Sequence, residues 1–173
     1  MNTRAEQLAV RIEQGAKNLA AFATNLSDEQ WNAVVRPDGR KAGVIVHHVA
    51  SVYPIEVQLA QQIASGTPVE DVTWDVIAKM NAAHVGDNAS CTRRETIQLL
   101  ERNSRQAAEA VRVLTDAQLD TAVPVSLYAD APLTAQFFIE DHALRHSWHH
   151  LAKIKAALAA APSAARRVLA GVL

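Results

Sequence analysis

Cysteine is nearly absent from this chain. Cys91 stands alone, so no intramolecular disulfide can form, and a reducing cytosol is the setting it fits. Charge of one sign is lacking too: 17 Lys and Arg face 18 Asp and Glu, a formal net charge of −1. That balance gives no electrostatic footing for nucleic acid or an anionic membrane surface. No apolar run approaches the roughly 20 residues that span a bilayer. The opening Met1-Asn2-Thr3-Arg4-Ala5-Glu6 lacks the apolar core of a signal peptide. A soluble cytoplasmic protein with a small-molecule partner is the expectation, without nucleic acid and without membrane. Glycine and proline are scarce, six each, and most fall between apolar-periodic stretches.

What is present favours helix. Apolar residues make up 49% of the 173, with alanine foremost, and Ala, Leu, Glu, Gln and Arg are good helix formers. The length suits one domain with its own core. A first helix is expected over about residues 3–24, with Thr3 as cap, Glu6 at capping-box spacing, and Leu8, Ile12, Leu19 and Phe22 as its stripe. A short capped turn starts at Ser27, and Arg36-Pro37-Asp38-Gly39 reads as a turn. A second long helix covers about 41–65, with Pro54 expected to kink it near Ala50. A shorter piece over about 73–85 precedes a long helix capped by Thr92 and running to about 114. Another short turn opens at Thr115. Residues 121–132, with two prolines, read as an extended loop. The last long helix covers about 134–161, ended by Pro162. The fold class is therefore all-α: residues 1–162 form a four-helix bundle, and 163–173 a short tail with a last helix.

Six of the seven histidines cluster: His47-His48, then His142, His146 and His149-His150. At about 100° per residue, Val44, Ile45, Val52, Ile55, Leu59 and Ile63 draw the stripe of the second long helix. His48 falls near its centre and His47 at its edge or in solvent. On the last helix, Leu133, Phe137, Leu144, Leu151, Ile154 and Leu158 draw the stripe. His150 flanks it, with His146 one turn earlier, while His142 and His149 lie on the polar side. Spacing of i, i+4 puts two imidazoles within reach of one ion. Buried ring nitrogens need partners, and one divalent cation would serve His48, His146 and His150 together. Hydrogen-bonded core or surface histidines are the competing reading, which spacing alone leaves open.

Two motifs carry a family resemblance: Val44-Ile45-Val46-His47-His48-Val49-Ala50, and His146-Ser147-Trp148-His149-His150-Leu151-Ala152-Lys153-Ile154. With the layout of four long helices and the similar turns at Leu26 and Leu114, the chain resembles the DinB/YfiT-like family from about residue 5 to 160. The resemblance implies an up-down-down-up four-helix bundle. It also implies a metal triad at His48, His146 and His150, a divalent ion such as zinc or nickel, and often a homodimer. It departs from the family at Arg40-Lys41-Ala42-Gly43, where many members carry Trp-Ser or Trp-Thr.

The implied activity is metal-dependent: a thiol-dependent S-transferase using a low-molecular-weight thiol cosubstrate such as bacillithiol, mycothiol or glutathione, or a hydrolase. Either would use a nucleophile whose pKa the ion lowers. A non-enzymatic metal-binding or stress-related protein is the rival, and a metal-free bundle the third reading. Glu140 is a candidate support or base; its plainer reading is a surface carboxylate paired with Arg or Lys. His142 and His149 are candidate fourth ligands or supports, or partly exposed side chains. Asn81 and His84 are candidates for the pocket mouth, His84 more plainly an ordinary polar residue. Cys91, at a helix start, is a conceivable nucleophile or simply a small residue. Trp31, Trp74 and Trp148 are expected as core or pocket-wall aromatics.

Overall fold

The computed structural model describes residues 4–160; the expected Thr3 cap and the helical tail lie outside them. Four long helices make the body: α1 (Arg4–Thr24), α3 (Ala42–Ala64), α5 (Arg93–Arg112) and a final helix. That final helix joins α7 (Ala135–Ile139) to α8 (Arg145–Ala160) through a π-helical turn, Glu140–Leu144. Between them lie the short helices α2 (Asp28–Asn32), α4 (Trp74–Asp87) and α6 (Asp116–Asp120), and the strands β1 (Ala122–Val125) and β2 (Ala131–Thr134).

Pairings fix the direction of each long helix. Arg112, ending α5, reaches Glu6 and Glu13 on α1, so these two are antiparallel. Lys41, capping α3, reaches the carbonyl of Ala89 just before α5, so α3 and α5 start at the same end. Glu56 of α3 meets His146 while His48 meets His150, so the last helix runs against α3. Up, down, down, up is the result, as expected. Each of α1 and α3 packs against both α5 and the last helix. Leu8, Ile12, Leu19, Ile45, Ile63, Leu100, Phe138 and Ile154 fill the space between them, all under 3% exposed.

Local chemistry explains the ends. Ser27 and Thr115 each accept from the backbone of a glutamine three residues on, whose side chain reaches back. These two capping boxes make the similar turns at Leu26 and Leu114 similar in structure as well. Thr92 caps α5 through Glu95. Pro54 does not end α3. The Ala50 carbonyl, which Pro54 cannot serve for want of an N–H, accepts instead from Asn103 Nδ2 of α5 at 2.8 Å.

Residues 121–132 are not a plain loop. Their first half pairs with the residues that follow as an antiparallel hairpin, Ala122 opposite Thr134 and Val125 opposite Ala131. Pro124 stands opposite Pro132, so both residues lacking an N–H share one rung. Val123 and Val125 turn inward while Ala122 and Pro124 face out, the period of a half-buried strand. The stripe of the last helix also differs from expectation: Phe137 is exposed and Phe138 buried. A π turn carries an extra residue, which rotates everything before it by about 100° relative to a regular helix.

Trp31 belongs to the core and packs closely against Gly43. A Cβ at residue 43 would stand only 2.2 Å from its ring, and Trp31 Nε1 donates to the Cys91 carbonyl at 3.3 Å. Gly43→Ala should therefore displace the ring and cost about 1–3 kcal/mol. A thermal melt would show a Tm lower by several degrees; an unchanged Tm would contradict this packing.

Candidate metal centre

Helix α3 supplies His48 and α8 supplies His146 and His150. One ligand nitrogen from each lies within 4.8 Å of the others. Ring centroids are 5.1 Å apart for His48 and His146, 5.6 Å for His48 and His150, and 4.9 Å for His146 and His150. The last two rings stack, as i, i+4 neighbours can. His48 and His150 are each 6% exposed. Burial, with the neighbouring histidines adding to it, pushes the pKa of His48 down to about 3 and that of His150 down to about 2. Both are neutral imidazoles at physiological pH, the form that binds metal.

Sequence reasoning missed the carboxylate that serves this cluster. Glu56, 7% exposed, accepts from His146 Nδ1 at 2.5 Å. That bond places the proton of His146 on Nδ1 and leaves Nε2 with its lone pair, the arrangement usual for ligating histidines. Its signal was present in the sequence: a charged residue set in the apolar stripe between Val52 and Leu59. His150 Nδ1 and Glu56 Oε2 are buried without hydrogen-bond partners. A buried orphan nitrogen on His150 and three converging imidazoles are the donor set a divalent cation satisfies, so the residues fit a metal.

The cluster opens on a cavity of about 450 Å³. Val52, Ile55 and Leu59 of α3 and Ile77 and Met80 of α4 give it an apolar wall, with Asn81 and Trp74 alongside. No residue of α4 is buried, and Trp74 is 65% exposed. His142 stacks on Phe138 with centroids 4.2 Å apart and bonds Tyr128 Oη at 2.9 Å; Tyr128 donates to Asp141. All four line the cavity, His142 carried there by the π turn.

The other sequence candidates separate. His149 is exposed at the cavity mouth. Glu140 pairs with Arg11 at 3.1 Å on the outer face, so the plainer reading of it holds. His84 Nε2 contacts His47 Nδ1 at 2.9 Å. Cys91 lies away from the histidines, beside Trp31, Lys41 and Arg93, and burial pushes its thiol pKa up, which argues against a nucleophile. Trp148 is not core: it is 42% exposed, rests on Gly15 of α1, and lines a separate hollow with Phe22 and Leu151, away from the histidines.

The sequence pattern of the DinB superfamily matches residues 11–154. The chain belongs to the DinB superfamily. Among solved structures it resembles YfiT from Bacillus subtilis, described as a probable metal-dependent hydrolase with an unusual four-helix-bundle topology. The TM-score is 0.72 at 18% identity, covering 90% of this chain and 86% of that one. At that identity the likeness is one of fold. No curated protein matches the chain at a significant level. In this DinB-superfamily chain no helix among the described residues is long and apolar enough to cross a membrane.

Two buried neutral histidines make the metal-free protein sensitive to acid. Their folded pKa values lie below the unfolded value of 6.5, so the unfolded chain takes up protons that the folded chain refuses. Stability is full above about pH 6.5 and falls as the pH drops. Each ring should remove about 2 kcal/mol by pH 5. Urea unfolding with chelator present should give a clearly lower midpoint at pH 5 than at pH 7; equal midpoints would contradict the burial of these rings.

Proposed function

We propose that this chain is a metal-dependent enzyme, and that its reaction is attack by an activated water on an electrophilic carbon, as in ester or amide hydrolysis. One observation carries the reading: three imidazoles converge beside an open cavity rather than inside a sealed shell. A structural ion is usually closed by a fourth protein ligand; the cluster found among the described residues has three. Imidazole donors suit zinc or nickel. When bound, such an ion lowers the pKa of a water or thiol in its open position and polarises a carbonyl.

The protein's own residues supply the rest. Glu56 holds the ring of His146 through Nδ1 and keeps that tautomer. Glu56 Oε2, buried and unpartnered on the cavity wall, takes up the proton the nucleophile loses and returns it to the leaving group. The apolar wall from α3 and α4 seats the body of the substrate and excludes bulk water. The description of YfiT agrees with hydrolysis. A second reading puts a low-molecular-weight thiol in place of water, as an S-transferase would. A cavity of about 450 Å³ has room for a small thiol and an acceptor side by side.

The test uses untagged protein loaded with zinc or nickel, assayed with 4-nitrophenyl butyrate and, separately, with glutathione and an electrophilic acceptor. His146→Ala should lose bound metal and nearly all turnover. Glu56→Gln should keep the metal, at affinity lowered about 10–100-fold, and lose kcat more than KM. Metal-loaded wild type no more active than His146→Ala in both assays would reject the enzyme.

A further inference from the structure

Arg40 is an unexpected neighbour for a cation site. It follows a tight turn in which Gly39 has φ 85° and donates to the Val35 carbonyl at 2.8 Å. Val35 N–H donates in turn to the Arg40 carbonyl at 2.9 Å. This pins Arg40 just before α3. Its side chain is 16% exposed. Nε and Nη2 clamp the Asp38 carboxylate at 2.6 and 2.8 Å. Nη1 is buried with no hydrogen-bond partner. The residue lines the histidine cavity together with His48, His150 and Lys153.

A guanidinium beside imidazoles that bind a cation repels that cation, so the metal does not explain it. Asp38 offsets one positive charge but faces two, Lys153 Nζ lying 3.9 Å from its Oδ2. The carboxylates in the cavity wall do not reach Nη1: Glu56 holds His146 through Oε1 while its Oε2 has no partner, and Asp141 pairs with Tyr128 and Arg145. The two unsatisfied N–H groups of Nη1 thus lack an anion that the described residues do not supply, and a carboxylate is the partner whose geometry a guanidinium matches. The apolar wall of Val52, Ile55, Leu59, Ile77 and Met80 belongs to the same cavity.

We propose that Arg40 Nη1 binds the carboxylate of the substrate, and that the substrate is a small amphiphile whose apolar body lies along α3 and α4. This deepens the reading of the cluster as a reaction centre and rests on it. Arg40 is a binding and specificity residue that places the substrate beside His48 and His150.

Octanoate is the probe, titrated calorimetrically into full-length protein, metal-free and zinc-loaded, with octanol as the uncharged control. Octanoate should bind wild type about tenfold or more tightly than octanol. Arg40→Lys keeps a positive charge facing Asp38 but lacks Nη1, and should lose octanoate affinity about tenfold or more while still binding zinc. Arg40→Met should lose as much, with its fold checked by circular dichroism. Octanol binding as well as octanoate, octanoate binding neither form of wild type, or Arg40→Lys binding octanoate like wild type would each overturn the assignment. Zinc binding is read separately on the same samples. Its absence would reject the metal centre, and the metal-free titration would still decide the role of Arg40.

Discussion

Three imidazoles brought out of water to one point between two antiparallel helices are the constraint around which this molecule is arranged. His48 and His150 lie so deep that burial keeps them neutral, and a ring nitrogen of His150 has no protein partner. A bundle interior of aliphatic side chains would hold together better without them. Their retention makes sense only if something else occupies the point where they meet. Glu56 turns the third ring so that the cluster presents lone pairs inward.

The architecture serves that arrangement. Because α3 and the last helix run in opposite directions as neighbours, a histidine near the start of one meets an i, i+4 pair far along the other. Pro54 would weaken α3 two turns beyond His48, but Asn103 satisfies the carbonyl it strands. Tyr53 Oη and Ser147 Oγ, 2.7 Å apart in the interior, tie the two ligand-bearing helices together. The π turn brings His142 to the cavity, and the hairpin brings Tyr128 against it. Helix α4, with nothing buried, lines the open side of the cavity through Trp74, Ile77, Met80 and Asn81.

Much of this was legible in the sequence. Long helices with clean periodicity, such as α5, could be delimited to within a few residues because a capping residue, here Thr92, marks the start. Counting angles singled out the three histidines that the fold brings together. Glu56 was readable as a charge in an apolar stripe, yet its partner lies 90 positions away, and pairing at that range is a property of topology. The π turn left no local signature, so Phe137 and Phe138 exchanged roles. The hairpin hid behind Pro124 and Pro132, whose cost to a strand vanishes when they share a rung. Arg40 sat in a turn where its sequence neighbours reveal nothing of the cavity beside it.

The central claim is that these rings share one divalent ion. Anomalous scattering from crystals of untagged protein, recorded on both sides of the zinc and nickel edges, measures it most directly. The account predicts a single strong peak about 2.0–2.1 Å from one nitrogen each of His48, His146 and His150, with a non-protein ligand on the cavity side. A peak elsewhere, a fourth side chain closing the ion, or metal-soaked crystals with no peak between the rings would contradict it.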